Sequence, residues 1–561
     1  MAQILSPKQE MTDNLLKAAL LAAIILFFSC SAKTPVISSI DPKIGRMGEL
    51  ITLIGSNFGE AREESYITIA GVAPTSSSYH SWQDDMIVLR IPELGESGLV
   101  YVYVNGKKSN GVLFSNSATV PRPVEGEELG LQPRITSVTP QTGAPGTLIT
   151  ITGNNFGVSR ENAGVYFSWD YDSGTFNPYA VREPEYIEVS EIELGYEFWS
   201  TREIRVRLPD GAVSGNIEVR TIHGRSRSVF FDVSGKPGIK TFRDKRSYIV
   251  SYTVDIRVLE ATRPNSLYLW IPRPVVSPSQ RDVSLISRNG QPFVENYRGV
   301  GIYKLDNLDT NENQSIDLSY RVDVYAVETA LRPLSITQES TSLGKTYTQS
   351  TGLIPGDDQL VTTTVNLIVG REQNPYIKAR AIYDWILNNM NITESFSSSV
   401  DIIAALEERE ADPYAAALLF TAMARAASIP CVPIAGVLID RNGNTLRHYW
   451  AEFWIDDFGW VPVDPAMGAG VITVVDAVNI LPQPMDNIEA DMDFANYYFG
   501  NLDNMRIAFS RGEQVFSQMD RWGRPVFHTQ SYSLQNIWEE AVGGLESYTS
   551  LWGDITIRGV Y

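Results

Sequence analysis

The chain has 561 residues, more than one hydrophobic core can serve, so roughly three to five domains are expected. At 43% apolar and 20% charged it has the composition of a folded protein, and 30 prolines and 42 glycines among many Val, Ile, Thr and Tyr runs favour strands and turns over long helices. A net charge of −20 with no basic stripe (Arg225 and Arg227 stand alone) excludes nucleic acid as a partner, and two cysteines in unlike contexts, Cys30 and Cys431, exclude a disulfide framework.

In chain order, the first feature is the apolar run Ala18–Phe28, preceded by Lys17 and followed by Ser29-Cys30. It is shorter than the ~20 residues that span a bilayer and has the length of a signal-peptide core, so residues 1–29 are predicted to be a signal peptide. Glu10 and Asp13 are unusual ahead of such a core, which leaves Met1 and Met11 as alternative starts. Phe27-Phe28-Ser29-Cys30 resembles a relaxed bacterial lipobox. The resemblance implies a lipid anchor on Cys30 and a place in the bacterial cell envelope, periplasmic or surface-exposed. Ser31 in place of an inner-membrane retention Asp points to the outer membrane. No later segment is long and apolar enough to span a membrane.

Two stretches then match at an offset of 98. Ile37-Ser38-Ser39-Ile40-Asp41-Pro42 leads to Leu50-Ile51-Thr52-Leu53-Ile54-Gly55-Ser56-Asn57-Phe58-Gly59, and Ile135-Thr136-Ser137-Val138-Thr139-Pro140 leads to Leu148-Ile149-Thr150-Ile151-Thr152-Gly153-Asn154-Asn155-Phe156-Gly157. Trp82 with Ile91-Pro92 matches Trp199 with Leu208-Pro209 at an offset of 117, so the second copy holds about 19 extra residues between its halves. Short apolar runs between Gly/Pro/Asn turns predict an all-β sandwich in each copy. The P-x-x-G-x-x-G strand and G-x-N-F-G pattern resembles the IPT/TIG immunoglobulin-like domain, over 34–120 and 133–233, joined by a linker at 121–132. That family implies a spacer or binding module. Phe58 and Phe156 themselves read as core plugs rather than contacts. Two calcium-like stretches fall short. Trp169 to Gly174 offers two carboxylates where about six to eight oxygens are needed, and Asp309 to Asn313 is followed by Gln314 and Tyr320 where a calcium loop needs Gly and Glu. The sequence implies no metal and no cofactor.

Residues 241–340 again read as strands and predict a third β-sandwich. Helices are predicted after it: one from Asn374-Pro375 through Trp385 and Ile386, a short one over 401–410, and a strongly apolar one over 413–427. Three anchors follow in order: Arg425-Ala426-Ala427-Ser428-Ile429-Pro430, His448-Tyr449-Trp450-Ala451-Glu452-Phe453, and Gly459-Trp460-Val461-Pro462-Val463-Asp464-Pro465. Together they resemble the transglutaminase-like superfamily, a papain-type α+β core, over 366–470. Residues 471–561 are expected as a C-terminal extension of that core. The predicted fold is therefore multidomain: two immunoglobulin-like sandwiches, a third β-sandwich, then the α+β core.

The resemblance implies a Cys at the start of the core helix, a His base on the next strand and an orienting Asp one strand later. His448 and Asp464 occupy the last two places. The family's spacing back from Arg425 puts the thiol position at Pro413, which has no nucleophile. Asp412-Pro413 also reads as an ordinary helix start, Asp as N-cap and Pro at the first helical position. Cys431 lies past the far end of the same helix, roughly 22 Å away on an unbroken helix, and falls in an apolar strand. Trp450, Trp460, Phe453 and Tyr414 are candidates to line a cleft, with core packing as the alternative. Three readings remain open. The first is a non-catalytic, lipid-anchored envelope protein whose cleft binds a peptide, glycan or partner protein. The second is a hydrolase or acyl transferase using His448 and Asp464 without a thiol, and the third is a structural or adhesive envelope protein.

Overall fold

The structure is a computed structural model that describes residues 33–92, 98–116, 132–160, 163–172, 184–190, 193, 195–336, 342–393, 401–440, 442–470, 493–528 and 531–561. The signal segment with Cys30 and most of the linker lie outside the described residues. The chain forms two compact units, residues 1–125 with 517–521, and residues 126–516 with 522–561.

In the first unit, Val36–Asp41, Leu50–Ser56, Met86–Arg90 and Tyr79–Trp82 form one sheet in that order, and Tyr66–Ile69, Gly98–Val104 and Val112–Asn116 form the facing one. The second unit opens with the same arrangement, in which Arg134–Thr139, Leu148–Asn154, Glu203–Arg207 and Tyr196–Trp199 pair in the same order and with the same bulge. The G-x-N-F-G pattern has a packing reason. A Cβ on Gly55 would lie 2.0 Å from the Val36 carbonyl and 2.3 Å from the Phe58 ring, and one on Gly153 would lie 2.0 Å from the Arg134 carbonyl and 2.4 Å from the Phe156 ring. Both phenylalanines are core plugs, and their carbonyls accept from the Trp82 indole at 2.9 Å and the Trp199 indole at 3.1 Å.

The third β-domain is built on β1 (Gly238–Pro272), a long bent strand, with β2 (Gln280–Arg288), β3 (Val300–Asp306) and β4 (Asn313–Leu331). Then come the helices α1 (Gln359–Val369), α2 (Pro375–Asn389), α3 (Ile402–Glu408) and α4 (Pro413–Ala426), followed by the strands β5 (Cys431–Ile439), β6 (Thr445–Ile455) and β7 (Gly459–Val463) and the short helix α5 (Pro465–Gly468). After these come β8 (Arg506–Arg511), β9 (Glu539–Trp552) and β10 (Thr556–Val560). Each of α1 to α4 starts on an Asp or Asn whose side chain accepts from first-turn N–H groups: Asp358, Asn374, Asp401 and Asp412.

Two expectations from sequence change. Helix α1 was not anticipated, because Thr362-Thr363-Thr364-Val365 has the β-branched content of a strand. The Asp358 cap and burial of Val361, Thr364 and Val365 at helical spacing outweigh that preference. The last two strands do not extend the core domain. β9 and β10 pair with β1, from Val254↔Trp552 and Tyr248↔Val560, and so complete the third β-domain.

The second immunoglobulin-like domain shares one apolar cluster with the core domain: Phe167, Trp169 and Phe231 belong with Val432, Trp450, Trp454 and Trp460. Gly146 sits under Trp454, whose ring would be 3.0 Å from an added Cβ, while the equivalent Gly48 has nothing within 4 Å. The buried Lys240 bridges Asp210 at 2.7 Å and the Trp460 carbonyl at 2.6 Å.

Gly153→Ala is expected to destabilise the second immunoglobulin-like domain by about 1–3 kcal/mol, since its Cβ meets both a carbonyl and a core ring. Denaturant unfolding of the intact chain, followed by tryptophan fluorescence, checks this.

Candidate functional site

The core sheet runs β7-β6-β5-β8. Helix α4 covers one of its faces, with every residue from Pro413 to Arg425 buried, as expected of a helix apolar on all sides. Asp412 caps it through Oδ1, which accepts from the Ala415 N–H at 2.7 Å, and Pro413 takes the first helical position. At the other end, Arg425 Nε donates to the Cys431 carbonyl at 3.0 Å and ties the helix to β5.

Contacts with α4 fix which residues of β6 face it. Tyr449 meets Tyr414 edge to face at 4.9 Å, and Phe453 meets Phe420 at 6.2 Å. Because side chains alternate along a strand, His448, Trp450, Glu452 and Trp454 face the opposite side of the sheet. The structure thus brings His448 and Asp464 together but sets them on the face turned away from Pro413.

On that face His448 is 2% exposed and its Nε2 donates to Asp464 Oδ2 at 2.7 Å. Its ring stacks on Trp450 with centroids 6.2 Å apart. Asp464 is fully buried and has two further donors: Arg506 at 2.9 Å, and the Met467 N–H at 3.0 Å, which makes the same carboxylate the N-cap of α5. Arg506 also holds Asp503, and its guanidinium lies 4.9 Å from the Trp450 ring centre. Asp503 in turn accepts from the Tyr498 hydroxyl at 3.2 Å and the Met505 N–H at 2.9 Å. Burial pushes the Asp464 carboxyl upward, but His448 and Arg506 together outweigh it and hold the group below the usual carboxylate range. The enclosed space beside Trp450, Asp503 and Arg506 is about 30 Å³, room for one or two waters.

The candidate cleft residues are core residues instead. Tyr414, Trp450 and Trp460 are each 3% exposed, and Phe453 is fully buried. Trp460 is held between Tyr347, edge-on at 5.2 Å, and the Arg511 guanidinium at 4.3 Å. Arg511 also bonds Glu452 at 2.7 Å and Glu193 of the second immunoglobulin-like domain at 2.9 Å. Cys431 is buried on the α4 side and pairs with Phe453, five residues along β6 from His448, which places it roughly 17 Å away. Burial pushes its thiol up to about 12. Arg506 and Asp503 are functional neighbours that the motif does not include; their three-residue spacing is the one local trace of the pair in the sequence.

Since its folded-state carboxyl is depressed, Asp464 contributes stability that is present above its unfolded value, about 4, and is lost as pH falls through the folded one. Asp464→Asn is therefore expected to cost about 3–5 kcal/mol near neutral pH, by removing one of the two carboxylates that neutralise the buried Arg506, and to flatten the acid limb of stability below about pH 4. Urea unfolding between pH 2 and 7 measures both.

Residues 362–465 match the transglutaminase-like superfamily model, and residues 35–119 and 133–170 match the IPT/TIG domain. Over 128 residues the chain is 31% identical to a cyclomaltodextrin glucanotransferase of Bacillus licheniformis, covering 23% of this chain and 16% of that protein. Over 181 residues it is 27% identical to an uncharacterized protein of Haemophilus influenzae, covering 27% of this chain and 46% of that protein. The chain thus spans less than half the length of these curated relatives. Among solved structures, a candidate cysteine protease from Cytophaga hutchinsonii aligns over 58% of this chain and 92% of its own, at 16% identity and a TM-score of 0.35. The periplasmic domain of TgpA from Pseudomonas aeruginosa aligns over 38% and 87%, at 13% identity and a TM-score of 0.22. With these matches, the chain carries a transglutaminase-like core domain together with IPT/TIG immunoglobulin-like domains.

Proposed function

We propose that the chain is a non-catalytic transglutaminase-like protein of the bacterial cell envelope, lipid-anchored through Cys30, that binds an envelope peptide, glycan or partner protein. One observation carries the reading: the helix start that the family uses for its nucleophile is a buried, capped proline, and the histidine and aspartate of the motif lie on the other face of the sheet. A thiol enzyme needs sulfur and imidazole within ~3 Å of one another. Here the imidazole stacks on Trp450, its Nε2 is committed to Asp464, and Arg506 holds that carboxylate from a second side. These groups support a role for the pair as a tie between β6, β7 and β8, with recognition left to other surfaces.

The second reading, a hydrolase in which His448 activates water, draws on the intact 2.7 Å hydrogen bond between His448 and Asp464. It needs a substrate beside a ring that is 2% exposed.

Assays of amide hydrolysis and amine incorporation are expected to give no turnover with the wild-type chain and none with His448→Ala. Wild-type turnover abolished by His448→Ala would establish the hydrolase instead. In a Cys30→Ser background, Cys431 is expected to resist alkylation at pH 8 until the chain is unfolded. A Pro413→Cys thiol added to that background, at a helix start that is also buried, is expected to react slowly and at a rate that His448→Ala leaves unchanged. A rate that falls on removal of the imidazole would place His448 at the helix start and overturn the reading.

A further inference from the structure

The outer face of the third β-domain is hollowed, and two strand irregularities hollow it. β1 and β4 pair without a break from Arg246↔Val324 to Arg257↔Asn313, so their outward side chains stand in straight ranks, Ile249, Ser251 and Thr253 beside Asp317 and Ser319. The strands on either side are not regular. β10 carries one extra residue, Arg558, between the pairs Ile249↔Gly559 and Val250↔Ile557. β2 carries one extra residue, Ile286, between Leu285↔Tyr320 and Ser287↔Ser319. A bulge bends its strand and re-aims the extra side chain. Between the two bulges lies a groove of about 410 Å³, within the range of small-molecule sites, roughly 300–1,000 Å³.

The groove's chemistry is specific. Its floor is hydroxylic: Ser251 and Ser319 share a hydrogen bond at 2.6 Å, and Thr253 donates to Asp317 at 2.7 Å. Asn289 donates to the other oxygen of Asp317 at 2.6 Å. Two neutral donors orient this carboxylate and leave it lone pairs for a ligand. Arg558 stands opposite, with five N–H donors and no hydrogen bond or ion pair among the described residues. Ile249 and Ile286, the latter 52% exposed, add an apolar strip.

One carboxylate and one guanidinium sum to zero charge, in a chain whose net charge is −20. An anion would face Asp317 and a cation would face Arg558, so the groove suits an uncharged ligand. That ligand must present many hydroxyls, each able to donate and accept, and a C–H face for the isoleucines. We propose that this groove binds a neutral oligosaccharide, with Asp317 accepting from its hydroxyls, Arg558 donating to them and Ile286 packing on a ring face. The site is independent of the core domain and of whether that domain is catalytic.

Isothermal titration of the full chain with cellohexaose, maltohexaose and N-acetylchitohexaose tests it, with trigalacturonic acid as the charged comparison. Saturable binding of at least one neutral sugar is expected. Arg558→Ala should weaken it by about tenfold or more, the loss of one charge-assisted hydrogen bond. Ser287→Trp, which fills the groove from an exposed position, should abolish it. Unchanged circular dichroism and melting keep both variants interpretable. No binding of any neutral sugar, binding insensitive to both variants, or preferential binding of trigalacturonic acid would each overturn the proposal.

Discussion

A residue in a β-strand can face only one side of its sheet, and in β6 the packing of α4 makes the choice. That helix is buried on every side, so its sheet-facing flank must meet apolar groups, and Tyr449, Ala451 and Phe453 supply them. Their neighbours His448, Trp450 and Glu452 have no option but the other face. The rest of the site follows from this. An imidazole sent into a closed interior needs a partner, Asp464 provides it, and a carboxylate buried there needs a cation, which Arg506 brings from β8. Asp503, at the start of the same segment, takes the remaining guanidinium donors.

Most of the architecture was legible because the signals are local. The repeat at offset 98 predicted two sandwiches, which share one strand pairing, and Asn374-Pro375 and Asp412-Pro413 marked two helix starts by their own first-turn chemistry. The motif that brings His448 and Asp464 into hydrogen bond was readable too. The face on which they meet was not, since it is set by which flank of β6 the helix occupies. Spacing could join Arg506 to Asp503 but not to Asp464, which lies 42 residues earlier with no local pattern between them. Helix α1 was missed because its threonines favour a strand until the Asp358 cap and the core are considered together.

The second immunoglobulin-like copy is bound into the core domain. Trp454 of the core domain rests on Gly146, Arg511 reaches Glu193, and Lys240 is buried between Asp210 and the Trp460 carbonyl. The second copy and the core domain therefore share one interior.

The pairing of β9 and β10 with β1 also bears on how the molecule is made. Tyr248 and Val560 are neighbours in the sheet but lie some 300 residues apart along the chain. A ribosome that has just finished the core helices has delivered a long strand whose other edge is still bare. Open strand edges invite pairing with foreign chains, and contacts of such large sequence separation form slowly. While the chain is being made, this sheet is where chaperones have most to guard.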